Sequence, residues 1–253
     1  IDNGTFTTGS NLVLISNASG TGAIDDIGSG TLSGNVKAQR FVNEGPGWYL
    51  LASPITNTDI EDWNSEVDMS GFPGTEGDAM SFQSLQYYDE TVLDVLDSGY
   101  VSPTNTTNTI VSGRGYFVYI ADDNKGTLPK TLDVTGTSAT GDLTISASHS
   151  SSGVGIDHDG WNLIGNPYPC PIDWSLVTKN NITSNAAYTL NNDGSYSTLT
   201  GSESIASGEA FWVNAATGSG RLDFSESSKS VGSDTYNNKM NQNDEFGNFL
   251  AIN

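Results

Sequence analysis

At 253 residues the chain is long enough for one large domain or two of ordinary size. Thirty acidic residues against nine basic ones give a net charge of −21, which repels nucleic acid and anionic membrane surfaces, since both require clustered Lys and Arg, and with no apolar run of 18 residues no membrane insertion is expected. Hydrophobic residues make up only 35%, yet five Trp, ten Tyr and nine Phe, with many Val, Ile and Leu, suffice for modest cores.

Residues 1–33 are Gly, Ser, Thr and Asn with short alternating apolar pieces, and read as short strands between Gly turns, the clearest being Asn11 to Ser16. A strand is expected from Gly34 to Val42, a second from Trp48 to Ala52, and a short helix within Asp59 to Met69 with Asp59 as N-cap. Gln86 to Asp89 and Tyr116 to Ala121 read as strands on either side of the polar turn Thr104 to Thr109. Strands follow at Leu132 to Gly136 and Asp142 to Ser148, then a flexible connection up to Gly160. The stretch Gly160 to Trp174 is a strand, a corner stiffened by Pro167, Pro169 and Pro171, and one helical turn from Trp174. Ala186 to Leu190 and Ser195 to Leu199 flank Asn191 to Gly194, a hairpin signal because Asn and Gly tolerate positive φ. Further strands are expected at Phe211 to Asn214 and Arg221 to Phe224, a polar linker from Ser225 to Asn243, and an apolar restart at Phe246 to Asn253. The chain begins in mid-pattern at Ile1 and reads as a processed product or a piece of something longer. No long helical periodicity occurs, so the expected class is all-β.

Three signatures occur twice in the same order. GWYLLASPITNTDIEDW (Gly47 to Trp63) is matched by GWNLIGNPYPCPIDW (Gly160 to Trp174), and IVSGRGYFV from Ile110 by IASGEAFWV from Ile205. Ahead of each pair stands a Gly-led strand, from Gly34 and from Gly141. The spacing of about 95 to 113 residues is domain-sized, far above the periods of solenoids. The expected architecture is therefore two tandem, homologous β-sandwich lobes, 34–140 and 141–224, preceded by the strands of 1–33 and followed by linker and terminal strand, 225–253. Trp48 should match Trp161 and Phe117 match Trp212, with each Gly-Trp strand central in its sheet. Trp48, Trp63, Trp161 and Trp174 are the expected core, each in its own lobe.

No catalytic constellation is legible. His149 and His158 are the only histidines, Cys170 lies apart from both as a packed small residue, and neither a GxSxG elbow nor a phosphate loop opens a helix. Calcium is the one cofactor the acidic turns leave open. Asp157 and Asp159 beside Gly160 are the first candidates, and Asp122 with Asp123 the second, although Asx residues occupy turns for backbone reasons alone. In Tyr116-Phe117-Val118-Tyr119 and Phe211-Trp212-Val213, neighbouring side chains face opposite sides of a sheet. Two adjacent aromatics mean either burial on both faces or one face left for a ligand. Phe117, Tyr119 and Trp212 are therefore the candidates for stacking on a polysaccharide.

GNVKAQRFV with GWYLLASP, and GWNLIGNPYPCPIDW with SGEAFWV, resemble a duplicated region of large multidomain surface proteins of Bacteroidota that leave the cell by type IX secretion. The resemblance covers about residues 20 to 250. It implies an extracellular or cell-surface location, an all-β fold and no established catalytic residues. The expected function is a non-catalytic structural or adhesive module whose partners are adjacent modules or subunits of the same protein or fibre. A carbohydrate-binding module is the alternative, and a polysaccharide-active enzyme the third reading.

Overall fold

The computed structural model describes residues 3–43, 45–75, 82–92, 96–151, 159–231 and 239–240. The fold is all-β. The lead-in carries β1 (Thr5–Thr7), β2 (Leu12–Leu14), β3 (Ser16–Asn17), β4 (Gly20–Thr21) and β5 (Thr31–Ser33). Next come β6 (Asn35–Val42), β7 (Gly47–Leu51), β8 (Ile55–Thr56), α1 (Ile60–Asn64), β9 (Leu85–Tyr88), β10 (Tyr100–Val101), β11 (Tyr116–Ile120) and β12 (Lys130–Ser138). The second half contains β13 (Leu143–Ala147), β14 (Trp161–Gly165), β15 (Ile172–Asp173), β16 (Thr178–Asn180), β17 (Ala187–Leu190), β18 (Tyr196–Leu199), β19 (Ser204–Ile205), β20 (Ala210–Asn214) and β21 (Gly220–Phe224). β22 (Lys239–Met240) runs antiparallel beside β7.

The two halves share a strand order. In the first, β10-β9-β11-β7 form one sheet and β6-β12-β8 part of another; in the second the orders are β18-β17-β20-β14 and β13-β21-β16. The register of the duplicated ladder is also shared. Leu50 pairs with Phe117 and Trp48 with Tyr119, as their counterparts Leu163 and Trp161 pair with Trp212 and Asn214. Tryptophan on tyrosine is likewise repeated as tryptophan on phenylalanine: Trp63 meets Tyr116 edge-on at 5.7 Å, and Trp174 meets Phe211 at 5.5 Å.

Alternation along the four ladder strands sorts their side chains into three cores. Tyr49, Leu51, Tyr116 and Val118 face the sheet of β6 and β12, with Trp63, Ile55 and Leu132. Ile164, Phe211 and Val213 face β13 and β21, with Trp174, Tyr168 and Cys170. Trp48, Leu50, Phe117, Tyr119, Trp161, Leu163 and Trp212 form a third core between the two ladders. Four sheets are thus layered, and the paired strands β7 with β11 and β14 with β20 are buried on both faces along nearly their whole length. That geometry explains the paired aromatics, since a strand with neighbours above and below has no solvent side.

Several expectations change accordingly. All four expected core tryptophans are buried, but only Trp63 and Trp174 lie in the core of their own half; Trp48 and Trp161 lie in the shared one. Of the two Gly-Trp strands, β14 is an edge strand, whereas β7 lies between β11 and β22 and the middle place of its sheet belongs to β11. The lead-in does not stand apart, because β2 runs parallel to β6 and Leu14 enters the first core. Nor is Ser225 to Val231 a free linker. The Ser230 N–H donates to the Pro171 carbonyl at 2.8 Å, and Ser228 and Lys229 are buried. The apolar restart at Phe246 to Asn253 lies outside the described residues.

Local chemistry accounts for the turns. Asp59 caps α1 as expected, its side chain accepting from the Glu61 N–H. Ser53 and Asn166 occupy matching places before Pro54 and Pro167, both fully buried. Ser53 Oγ donates to the Ile55 carbonyl at 2.8 Å. Asn166 Nδ2 donates to the carbonyls of Cys170, Ile205 and Ala206 at 2.9 to 3.1 Å, while its Oδ1 accepts from the Tyr168 N–H. A buried side chain thus replaces the ladder bonds that proline denies the corner.

Candidate functional site

The aromatic candidates are not on a surface. Phe117 and Trp212 are fully buried and Tyr119 is 4% exposed, so no ring face is open to stack on a sugar. The reason is the second ladder: Phe117 packs on Trp212 at 6.0 Å, Trp212 on Tyr88 at 5.1 Å, and Tyr119 on Trp48 at 5.5 Å. The carbohydrate reading loses these three residues, while Tyr87 and Tyr88 are half-buried.

The acidic turns serve the protein's own groups. Asp123 pairs with Lys130 and accepts from the N–H groups of Asp68 and Lys125, and Asp122 accepts from the Leu128 N–H at 2.7 Å. Asp159 offers its carbonyl to Asn214 Nδ2 at 3.0 Å, and Asp157 lies outside the described residues. Among the described residues no group of three or more His, Cys, Asp and Glu could hold a metal ion. His149 Nδ1 pairs with the Ala215 carbonyl at 2.8 Å, and Cys170 is fully buried, consistent with a packing role.

What the structure does assemble is a seam between the halves, and it is reciprocal. The Ala52 N–H donates to the Gly208 carbonyl at 2.9 Å, and the Gly165 N–H to the Gly113 carbonyl at 3.0 Å. Leu51 bridges to Glu209, and Ile164 to Arg114. In the repeat, Ala52 matches Gly165, Leu51 matches Ile164, Gly113 matches Gly208 and Arg114 matches Glu209. Each half therefore contributes the same two strand ends to the other, as the partners of an isologous dimer do. Crossings outside the repeat reinforce it: the buried Glu90 accepts from the N–H of Gly160 at 2.8 Å, and the Ile24 N–H donates to the Pro169 carbonyl at 2.8 Å.

Backbone symmetry at the seam is accompanied by asymmetry in charge. At the Gly208 end, Glu209 is buried, and buried Arg40 reaches over from β6 to donate through Nη1 to the Ser207 carbonyl at 2.8 Å. At the Gly113 end Arg114 is only half-buried, with its guanidinium 4.5 Å from the Tyr87 ring centroid. Burial pushes the Tyr116 hydroxyl above its ordinary value, opposed by the Val111 N–H and by Arg114. Arg114 forms a wall of two cavities, of about 250 Å³ and about 240 Å³. The sequence held one signal for this place: the repeated Ser-Gly-x signature carries Arg in one copy and Glu in the other.

The chain belongs to a family described as a domain of unknown function (DUF8693), which matches residues 8–184. The match takes in the lead-in after β1, the first half and the second as far as β16, and stops before the hairpin of β17 and β18. No curated protein and no solved structure matches the chain. Among the described residues no helix is long and apolar enough to cross a membrane.

Proposed function

We propose that the chain is a non-catalytic structural or adhesive module, a stiff β-block within a larger extracellular surface protein or fibre, built by internal duplication. One observation carries this reading: the most elaborate feature of the molecule is the weld between its halves. Reciprocal backbone bonds and a shared aromatic core fix two sandwiches as one body, and edge-to-face ring pairs add roughly 0.5 to 1.5 kcal/mol each beyond burial. A module that transmits load or holds spacing gains from such stiffness. The high acidity keeps its outer surface solvated, and the resemblance to secreted Bacteroidota surface proteins supports an extracellular place among neighbouring modules.

Two measurements test it. Pulling the chain by its ends should give one unfolding event that releases both halves together, at a force well above that of a loosely linked pair. Purified protein incubated with polysaccharides and peptides should produce no turnover. Sequential release of the halves at low force, or hydrolysis that persists through purification, overturns the proposal.

A further inference from the structure

The two ends of the seam act as controls for each other, and they are covered differently. Over Gly208 lies the Arg40 stem; over Gly113 lies the shorter, uncharged Ile145. At the Gly113 end a cavity of about 250 Å³ remains beside Ser112 and Arg114, with Ser146 and Asn162 opposite. Beyond Arg114 the second cavity, about 240 Å³, is lined by Val101, Pro103, Thr104, Asn108 and Thr109 among others. Among the described residues no Asp or Glu lines either one, although the chain carries 30 acids.

Two side chains with nitrogen donors border the second cavity. Arg114 has no carboxylate within 4.0 Å among the described residues, whereas Lys37, Lys125, Lys130, Arg221 and Lys229 are all ion-paired. Asn108 is held in one orientation, because its Oδ1 accepts from the Thr104 N–H at 2.8 Å, Thr104 Oγ1 at 3.0 Å and the Asn105 N–H at 3.1 Å. Its Nδ2 is left as a donor without a partner among the described residues.

We infer that this cavity binds a single carboxylate carried on a small hydroxylated body, that is, a sugar acid. The planar fork of arginine matches a carboxylate in a way that an ammonium does not. The Asn108 amide supplies a neutral donor, the hydroxyls of Thr104 and Thr109 suit a polyol, and Pro103 and Val101 offer an apolar wall. The volume suits one sugar ring rather than a chain. Charge selects further: a protein of −21 repels a polyanion at a distance, so a lone carboxylate is the anion it admits. The free acid and the terminal residue of an otherwise neutral glycan present this same group. The site goes beyond the structural role and does not depend on it.

The test is an NMR titration of the isotope-labelled full chain at constant ionic strength with glucuronate, glucose, and a neutral oligosaccharide ending in one glucuronate. Glucuronate should shift the resonances of Asn108 and Arg114 and bind at least about tenfold more tightly than glucose. An oligosaccharide binding at least as well as the monosaccharide identifies a glycan end as the source; weaker binding identifies the free acid. Arg114→Gln should weaken glucuronate about tenfold. Asn108→Asp keeps the acceptor bonds, replaces the donor with a charge, and should weaken it too, which decides the matter should Arg114→Gln fold poorly. Equal affinity for glucose, shifts confined to other regions, or unchanged binding in the Asp variant overturns the proposal.

Discussion

Gly165 gives its N–H to the Gly113 carbonyl at 3.0 Å, and the same bond recurs with the halves exchanged, from Ala52 to Gly208 at 2.9 Å. The crossing is close enough that side-chain volume at its centre decides whether it forms.

Gly165→Ala tests that closeness. A Cβ there would lie 2.4 Å from the Ala52 Cβ and 2.9 Å from the Arg114 carbonyl oxygen, neither of which is the end of a flexible side chain. Overpacking of this kind costs about 1 to 3 kcal/mol. Gly201→Ala meets nothing nearer than the Glu203 carboxylate at 3.4 Å and should stay within about 0.5 kcal/mol of the parent. Urea midpoints that fall equally for both variants would count against a tight seam.

Trp212→Ala removes the ring at the centre of the shared core, where Tyr88, Phe117 and Trp161 all pack on it. The loss should be about 3 to 5 kcal/mol. Because this core joins the halves, the parent should unfold in one calorimetric transition and the variant in two, with the halves released separately. A single transition in the variant would show that the backbone ties suffice without the ring.

Stability should fall at alkaline pH. The Tyr168 hydroxyl donates to the Gly141 carbonyl at 2.6 Å, and its pKa is raised by burial first, then by the Glu226 and Asp142 charges. Tyr116 is raised mainly by burial as well. A tyrosine whose folded pKa exceeds its unfolded value contributes fully below pH 10, the unfolded value, and loses that contribution as pH climbs through the folded one. Urea midpoints should therefore be level from pH 8 to about 9.5 and decline above it. Tyr168→Phe starts lower, without the Gly141 bond, but should decline less steeply.

Lys229 fastens the segment after β21. Its buried ammonium lies 2.7 Å from Glu226 Oε2 and 4.7 Å from the Tyr168 ring centroid. Lys229→Met should cost about 1 to 3 kcal/mol, less than a wholly buried pair, because Glu226 keeps the N–H groups of Ile27 and Gly141. Adding Glu226→Gln should recover part of the loss, since no uncompensated charge then remains. Strict additivity in thermal or urea unfolding would rule out coupling between the two.

The sequence by itself determined the all-β class, the duplicated ladder and the corners. Period-two alternation, prolines at alternate positions and an Asp at the start of α1 act locally, and the structure places strands, turns and the cap within a few residues of where they point. Alternation also placed Trp48 with Leu50 on one side of their strand and Phe117 with Tyr119 on one side of theirs, which the register makes one face of the sheet. It could not settle what covers that face, because period two distinguishes two sides without naming the neighbour on either. Only the tertiary structure set the second ladder there, moved Phe117, Tyr119 and Trp212 from candidate surface to shared core, and left Arg114 at an open seam while its counterpart Glu209 was buried. The ties that fix this arrangement, from Glu90 to Gly160 and from Arg40 to Ser207, join residues far apart in the chain, and no local pattern encodes them.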